Sequence, residues 1–117
     1  RYDNSHPRRL KKVLKEFRKL TVIAAHLGGW SIFDTAFECL KDENCFVDIS
    51  SSMMFMSKEQ MEQYIAGYGA DRVLFGSDFP LWSPAQEVEA FLKLNLKPDD
   101  REKIAYRNAL GILNGTV

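Results

Sequence analysis

The apolar residues of this chain alternate between two spacings. Leu10, Val13, Leu14 and Phe17 recur at helical intervals, with Arg8, Arg9, Lys11, Lys12, Lys15 and Lys19 off that stripe as a solvated face. Pro7 suits a first helical position, with His6 just before it as a cap, a surface turn or a pocket residue. Residues 1–5 are polar and read as loop. Residues 21–26 then form a continuous apolar run, the signature of a strand buried on both faces. Ile32, Phe33, Ala36, Phe37 and Leu40 return to helical spacing, and Ser31 is placed to cap them. A polar turn over residues 41–44 leads to a second strand over 45–50. Met53 to Met56 make a soft apolar loop that could pack on core, a partner or a substrate. Ser57 and Gln60 have capping-box spacing before a helix striped by Met61, Tyr64, Ile65 and Tyr68, which Gly69 stops. A third strand is expected over 72–77. Ser83-Pro84 with Gln86 opens a fourth helix, its Val88, Phe91 and Leu92 facing in. Pro98 opens the last, where Asp99 and Glu102 can make a second box and Asn114-Gly115 mark the stop.

Helices that alternate with buried strands imply βαβ units, a parallel sheet and the α/β class. Right-handed crossovers place all three strand ends on one side. His26, the segment from Asp48 to Ser51, and Asp78 then share one rim, the side on which parallel α/β sheets bind ligands. An independent flavodoxin-like domain has about five strands, and this chain offers three. Two edge strands would stay open unless something covers them. The expectation is therefore part of a closed sheet: the C-terminal three β/α units of a (β/α)8 TIM barrel, which typically needs roughly 250 residues. Residues 1–117 would form one part of a single domain whose N-terminal strands lie elsewhere.

Composition narrows the partners. Of 117 residues 45% are hydrophobic, which fits a globular chain. Sixteen basic residues balance sixteen acidic ones, so no footprint for nucleic acid or an anionic membrane is seen. The apolar runs are too short to span a bilayer, and no signal peptide is expected. The chain begins at Arg1, as expected of a polypeptide processed or cut from something longer. Cys39 and Cys45 lack metal-motif spacing and read as reduced thiols of a cytoplasmic protein, with a disulfide between them as the alternative.

The candidate chemistry sits at two strand ends. In Arg72-Val73-Leu74-Phe75-Gly76-Ser77-Asp78-Phe79-Pro80, a carboxylate follows an apolar strand, loses solvation there and needs compensation. A metal ion, a cation or hydrogen-bond donors could supply it. Taken alone, Asp78 reads as a turn residue. The pattern recurs upstream, however, where Thr21-Val22-Ile23-Ala24-Ala25-His26 ends in Leu27-Gly28-Gly29. Two buried strands that each end in a metal-competent residue suggest one shared site.

Ala24-Ala25-His26-Leu27-Gly28-Gly29-Trp30, Val73-Leu74-Phe75-Gly76-Ser77-Asp78-Phe79-Pro80 and Asn108-Ala109-Leu110 together resemble the amidohydrolase-2 family, TIM-barrel metal-dependent hydrolases that include decarboxylases similar to aminocarboxymuconate-semialdehyde decarboxylase. Ser5-His6-Pro7-Arg8-Arg9-Leu10 looks like the segment after that family's fifth strand. The resemblance implies that His26 ends the sixth barrel strand and Asp78 the eighth. It implies that Asp78 and His26 are catalytic and hold a divalent metal, zinc or a related ion, against a small carbonyl or carboxylate substrate. It also makes Trp30, Trp82 and His6 candidates for shaping the substrate pocket. The family's first-strand His-x-His pair and fifth-strand metal ligand have no counterpart here, since the chain's two histidines are His6 and His26. The polypeptide by itself is therefore expected to bind metal weakly and to catalyse little. A different expectation is a non-catalytic module that buries its open strand edges against another copy.

Overall fold

Three short parallel strands carry the architecture. The computed structural model describes residues 4–117, with β1 at Ile23–Ala24, β2 at Phe46–Asp48 and β3 at Val73–Leu74. They lie side by side in the order β1-β2-β3, with Ile23 beside Phe46 and Val47 beside Val73. The helices are α1 (Pro7–Glu16), α2 (Phe33–Leu40), α3 (Lys58–Tyr68) and α4 (Pro84–Leu92). α5 (Pro98–Glu102), a π-helical turn (Lys103–Arg107) and α6 (Asn108–Leu113) follow with helical backbone throughout. The architecture is the expected α/β alternation. Residues 1–3 of the predicted N-terminal loop lie outside the described residues.

Regular pairing is shorter than the apolar runs. β1 gives way at Ala25 to a tight 3-10 turn over His26–Gly28. Beyond β3, the Phe75 N–H donates to Ile104 O at 2.8 Å, so the π-helical turn and not another strand meets the sheet edge there. Cys45, Val47 and Ile49 alternate with the less buried Phe46 and Asp48, as period-two geometry requires. The buried set packs with Leu27, Leu40, Met61, Val73 and Ile104 between sheet and helices. Fully burying one such aliphatic side chain contributes roughly 1.5–3 kcal/mol. On the open edge Ile23 is 48% exposed, with exposed Val13, Phe17 and Leu20 preceding it in the chain.

The caps partly follow the sequence. At α3 the predicted box forms, with Gln60 N–H donating to Ser57 Oγ at 3.1 Å and Ser57 N–H to Gln60 Oε1 at 2.9 Å. His6 is the cap of α1, its Nδ1 accepting from Arg8 N–H at 3.1 Å. Ser31 does not cap α2, because the chain turns through it at φ 62° and Ile32 takes the cap position. Ser83 precedes α4 without a side-chain cap bond, so no box forms with Gln86. Asp99 makes no box either, since Lys103 at 3.3 Å and Arg107 draw its carboxylate along the helix.

One basic residue does structural work that the sequence pattern hides. Arg72 donates to Cys45 O at 2.8 Å, Lys41 O at 2.6 Å and Leu40 O at 2.9 Å. It thereby satisfies the carbonyls that end α2 and the one that begins the next strand, groups a helix terminus leaves without partners. Cys39 and Cys45 are free thiols, and burial pushes the Cys45 thiol up. Among the described residues no helix is long and apolar enough to cross a membrane.

Candidate functional site

Each strand delivers a left-handed residue to the same rim. His26 has φ 56° just after β1, Ser51 has φ 50° after β2, and Asp78 has φ 56° after β3. Non-glycine residues are uncommon there, and each such placement costs on the order of 1–3 kcal/mol. The Phe79–Pro80 peptide bond that follows is cis. Gly28 lets the first turn close: at φ 87° its backbone lies so near α2 that an added Cβ would stand 2.4 Å from Leu40 Cδ1.

These turns bring the two sequence candidates together. His26 Nε2 lies 4.0 Å from Asp78 Oδ2, with both side chains about one-third exposed or less, at 28% and 32%. Supporting groups come from the end of β2. Asp48 Oδ1 accepts from His26 N–H at 3.0 Å, Ser50 N–H at 3.0 Å and Ser50 Oγ at 2.5 Å. His26 Nδ1 contacts Ser50 Oγ at 2.9 Å and Ser50 O at 3.1 Å. Ser51 Oγ donates to Asp78 Oδ2 at 2.6 Å and receives Trp82 Nε1–H at 2.8 Å.

An aromatic row stands over this rim. Phe55 meets Trp30 edge-on with ring centres 5.6 Å apart, and Trp82 with centres 6.2 Å apart. Each ring follows a different strand, and Trp30 and Phe55 are about half exposed, at 53% and 49%. The Met53–Met56 loop thus places one side chain between the two tryptophans. His6 shares a cavity of about 970 Å³ with His26 and Trp30, but its Nδ1 is committed to the α1 cap. Asp48, Ser50, Ser51 and Phe55 were singled out by no motif, although the segment from Asp48 to Ser51 is legible from sequence as part of the rim.

His26 and Asp78 offer nitrogen and oxygen donors of the kind zinc and related ions accept. Their 4.0 Å separation exceeds the roughly 3.4 Å that tetrahedral bonds of about 2.0–2.2 Å put between two donors, so one ion held by both requires the pair to close by about half an ångström. Among the described residues no group of three or more His, Cys, Asp or Glu side chains could hold a metal ion. Catalytic zinc usually has three protein ligands, so the residues fit a part of a metal site and not a whole one.

The family model described as Amidohydrolase (Amidohydro_2) matches residues 1–114. The chain belongs to the amidohydrolase family. The comparison with curated proteins returns no match. Among solved structures, this amidohydrolase chain is similar to an uncharacterized TIM-barrel protein from Bordetella bronchiseptica, at 28% identity and a TM-score of 0.82 over 94% of this chain and 40% of that one. It is also similar to a dihydroxybenzoic acid decarboxylase from a Polaromonas species with bound manganese and the inhibitor 2-nitroresorcinol, at 19% identity and a TM-score of 0.73 over 96% and 40% of the two chains. An amidohydrolase from Burkholderia multivorans with bound zinc shares 17% identity and a TM-score of 0.63 over 86% and 46%. The chain therefore spans about 40% of the length of the first two of these proteins, and its fold is part of a TIM barrel.

Proposed function

We propose that residues 1–117 form the C-terminal three β/α units of a metal-dependent amidohydrolase-type enzyme that hydrolyses or decarboxylates a small carbonyl or carboxylate compound. The observation that carries this reading is the 4.0 Å approach of His26 Nε2 to Asp78 Oδ2 from two separate strands. The metals bound by the Polaromonas and Burkholderia proteins support a divalent ion, zinc or manganese, held in part by these two residues. Such an ion, when bound, acts as a Lewis acid and can bring the pKa of water to about 7. Asp78 would help hold the ion and accept or orient the proton of the attacking water. His26 would offer Nε2 to the ion or accept a proton there. Trp30, Phe55 and Trp82 offer flat apolar walls for the substrate and keep bulk water from the rim, and His6 lies at the edge of the same cavity.

The remaining metal ligands come from further barrel strands, which precede this part of the chain or belong to a partner. The chain alone has little activity on this reading, and its two free thiols suit the cytoplasm. The test joins residues 1–117 to the rest of the barrel and assays decarboxylation and hydrolysis of small acids with Asp78→Asn and His26→Ala. Both variants should stay folded and lose activity by at least about a hundredfold, the lower range for lost acid–base groups. Full turnover in both would remove the site assignment.

The open edges favour a second reading. Exposed Ile23 on β1, with exposed Val13, Phe17 and Leu20 preceding it in the chain, suits a non-catalytic module that assembles with another copy. Light scattering separates the two, because a clean soluble monomer counts against self-assembly.

A further inference from the structure

We infer that Ser50 and Ser51 are the positioning residues of this site, Ser50 fixing the tautomer of His26 and Ser51 the orientation of Asp78. The inference rests on the reading of His26 and Asp78 as the reacting pair. It follows from the direction of each hydrogen bond.

The Ser50 carbonyl, 3.1 Å from His26 Nδ1, can only accept, so it calls for a hydrogen on that nitrogen. The Ser50 hydroxyl has one proton, and the Asp48 carboxylate at 2.5 Å is an acceptor only. That proton points to Asp48, and a lone pair faces Nδ1 at 2.9 Å. Both contacts demand Nδ1–H. Neutral imidazole carries one hydrogen, which leaves Nε2 bare on the side facing Asp78. This is the tautomer that can ligate a cation or take a proton. Ser52 Oγ donates to the same Ser50 carbonyl at 2.9 Å and holds it in place.

Ser51 has an equally directed role. The Trp82 indole only donates, and at 2.8 Å it occupies a lone pair of Ser51 Oγ. The hydroxyl proton is left to go to Asp78 Oδ2 at 2.6 Å. Ser51, the middle member of this chain of donors, is buried. Oδ2, the carboxylate oxygen that faces His26 Nε2, is thereby oriented. Serines that merely filled the turn would affect stability without selecting a nitrogen of His26.

Nitrogen NMR of the imidazoles in the 117-residue chain, recorded in alkaline solution, tests this. His6 is an internal reference of opposite sense, because its Nδ1 accepts from Arg8 N–H and its hydrogen must lie on Nε2. The expected result is a single Nδ1–H tautomer at His26. A hydrogen on Nε2, or free averaging between the two nitrogens, overturns the inference without any variant. Ser50→Ala should admit a measurable Nε2–H fraction at His26 and leave the Trp82 indole proton unchanged. An unaltered tautomer there would assign the selection to the backbone carbonyl and end the role of the hydroxyl. Ser51→Gly accepts the left-handed backbone without strain and so should fold. It should speed exchange of the Trp82 indole proton roughly fivefold, the worth of one hydrogen bond, with His26 unaffected. Unchanged exchange would end the role of Ser51. None of these signals requires turnover, so their failure is distinct from failure of the enzymatic reading.

Discussion

Asn108 holds β3 to the last helix: its Nδ2 donates to Val73 O at 2.8 Å and to Ala70 O at 2.7 Å. Both carbonyls flank the start of the strand that leads to Asp78, and Asn108 itself is buried. Asn108→Ala leaves those acceptors without their donor, which costs about 1–3 kcal/mol. Urea unfolding should show a lower midpoint with an unchanged slope. An unchanged midpoint would mean that water replaces the amide at no cost.

Gly28 is where the motif after β1 becomes a steric requirement. At its φ of 87° a Cβ would stand 2.4 Å from Leu40 Cδ1, so the fully buried Leu40 side chain must shift to admit one. Gly28→Ala should destabilise by about 1–3 kcal/mol through strain and overpacking. It should also displace His26, visible as altered imidazole shifts, whereas Gly69→Ala meets no neighbour within 4 Å and carries only the cost of its φ of 92°.

Glu87 on α4 is buried, and its Oε2 has no hydrogen-bond partner among the described residues. Burial raises its carboxyl pKa. The folded state therefore holds this proton more tightly than the unfolded state does. Its stabilising contribution is full below the unfolded value of about 4.3 and is lost as pH rises through the raised folded value. Glu87→Gln should be more stable than the parent at pH 7 by on the order of 1 kcal/mol. The advantage should vanish below about pH 4, and urea midpoints at the two pH values check both.

Titration calorimetry of the 117-residue chain with zinc or manganese should give weak binding, since His26 and Asp78 are two ligands where three are usual. Asp78→Asn or His26→Ala should weaken it further by at least about tenfold, the lower bound for losing even an outer partner of a metal ligand. Tight binding, or binding indifferent to both substitutions, would point to a site elsewhere.

The element order was legible because helix and strand periods are local properties of the chain. The box at Ser57 and Gln60, the stop at Gly69 and the three strand positions all read directly. Ser31 and Asp99 read wrongly because cap propensity is a tendency that neighbours override. A tight turn at φ 62° took Ser31, and Lys103 with Arg107 took Asp99. The hydrogen-bonding roles of Arg72 and Asn108 were not legible, since their carbonyl partners lie far off in sequence.

By itself the sequence determined an alternating α/β chain whose buried strands run toward His26 and Asp78, because burial pattern and turn chemistry act over a few residues. Only the tertiary structure decided the 4.0 Å gap between them, the Ser50 and Ser51 bonds that aim them, and Phe55 between Trp30 and Trp82. Those depend on left-handed turns and on parallel register, which packing across the whole sheet fixes to fractions of an ångström and which no local pattern encodes.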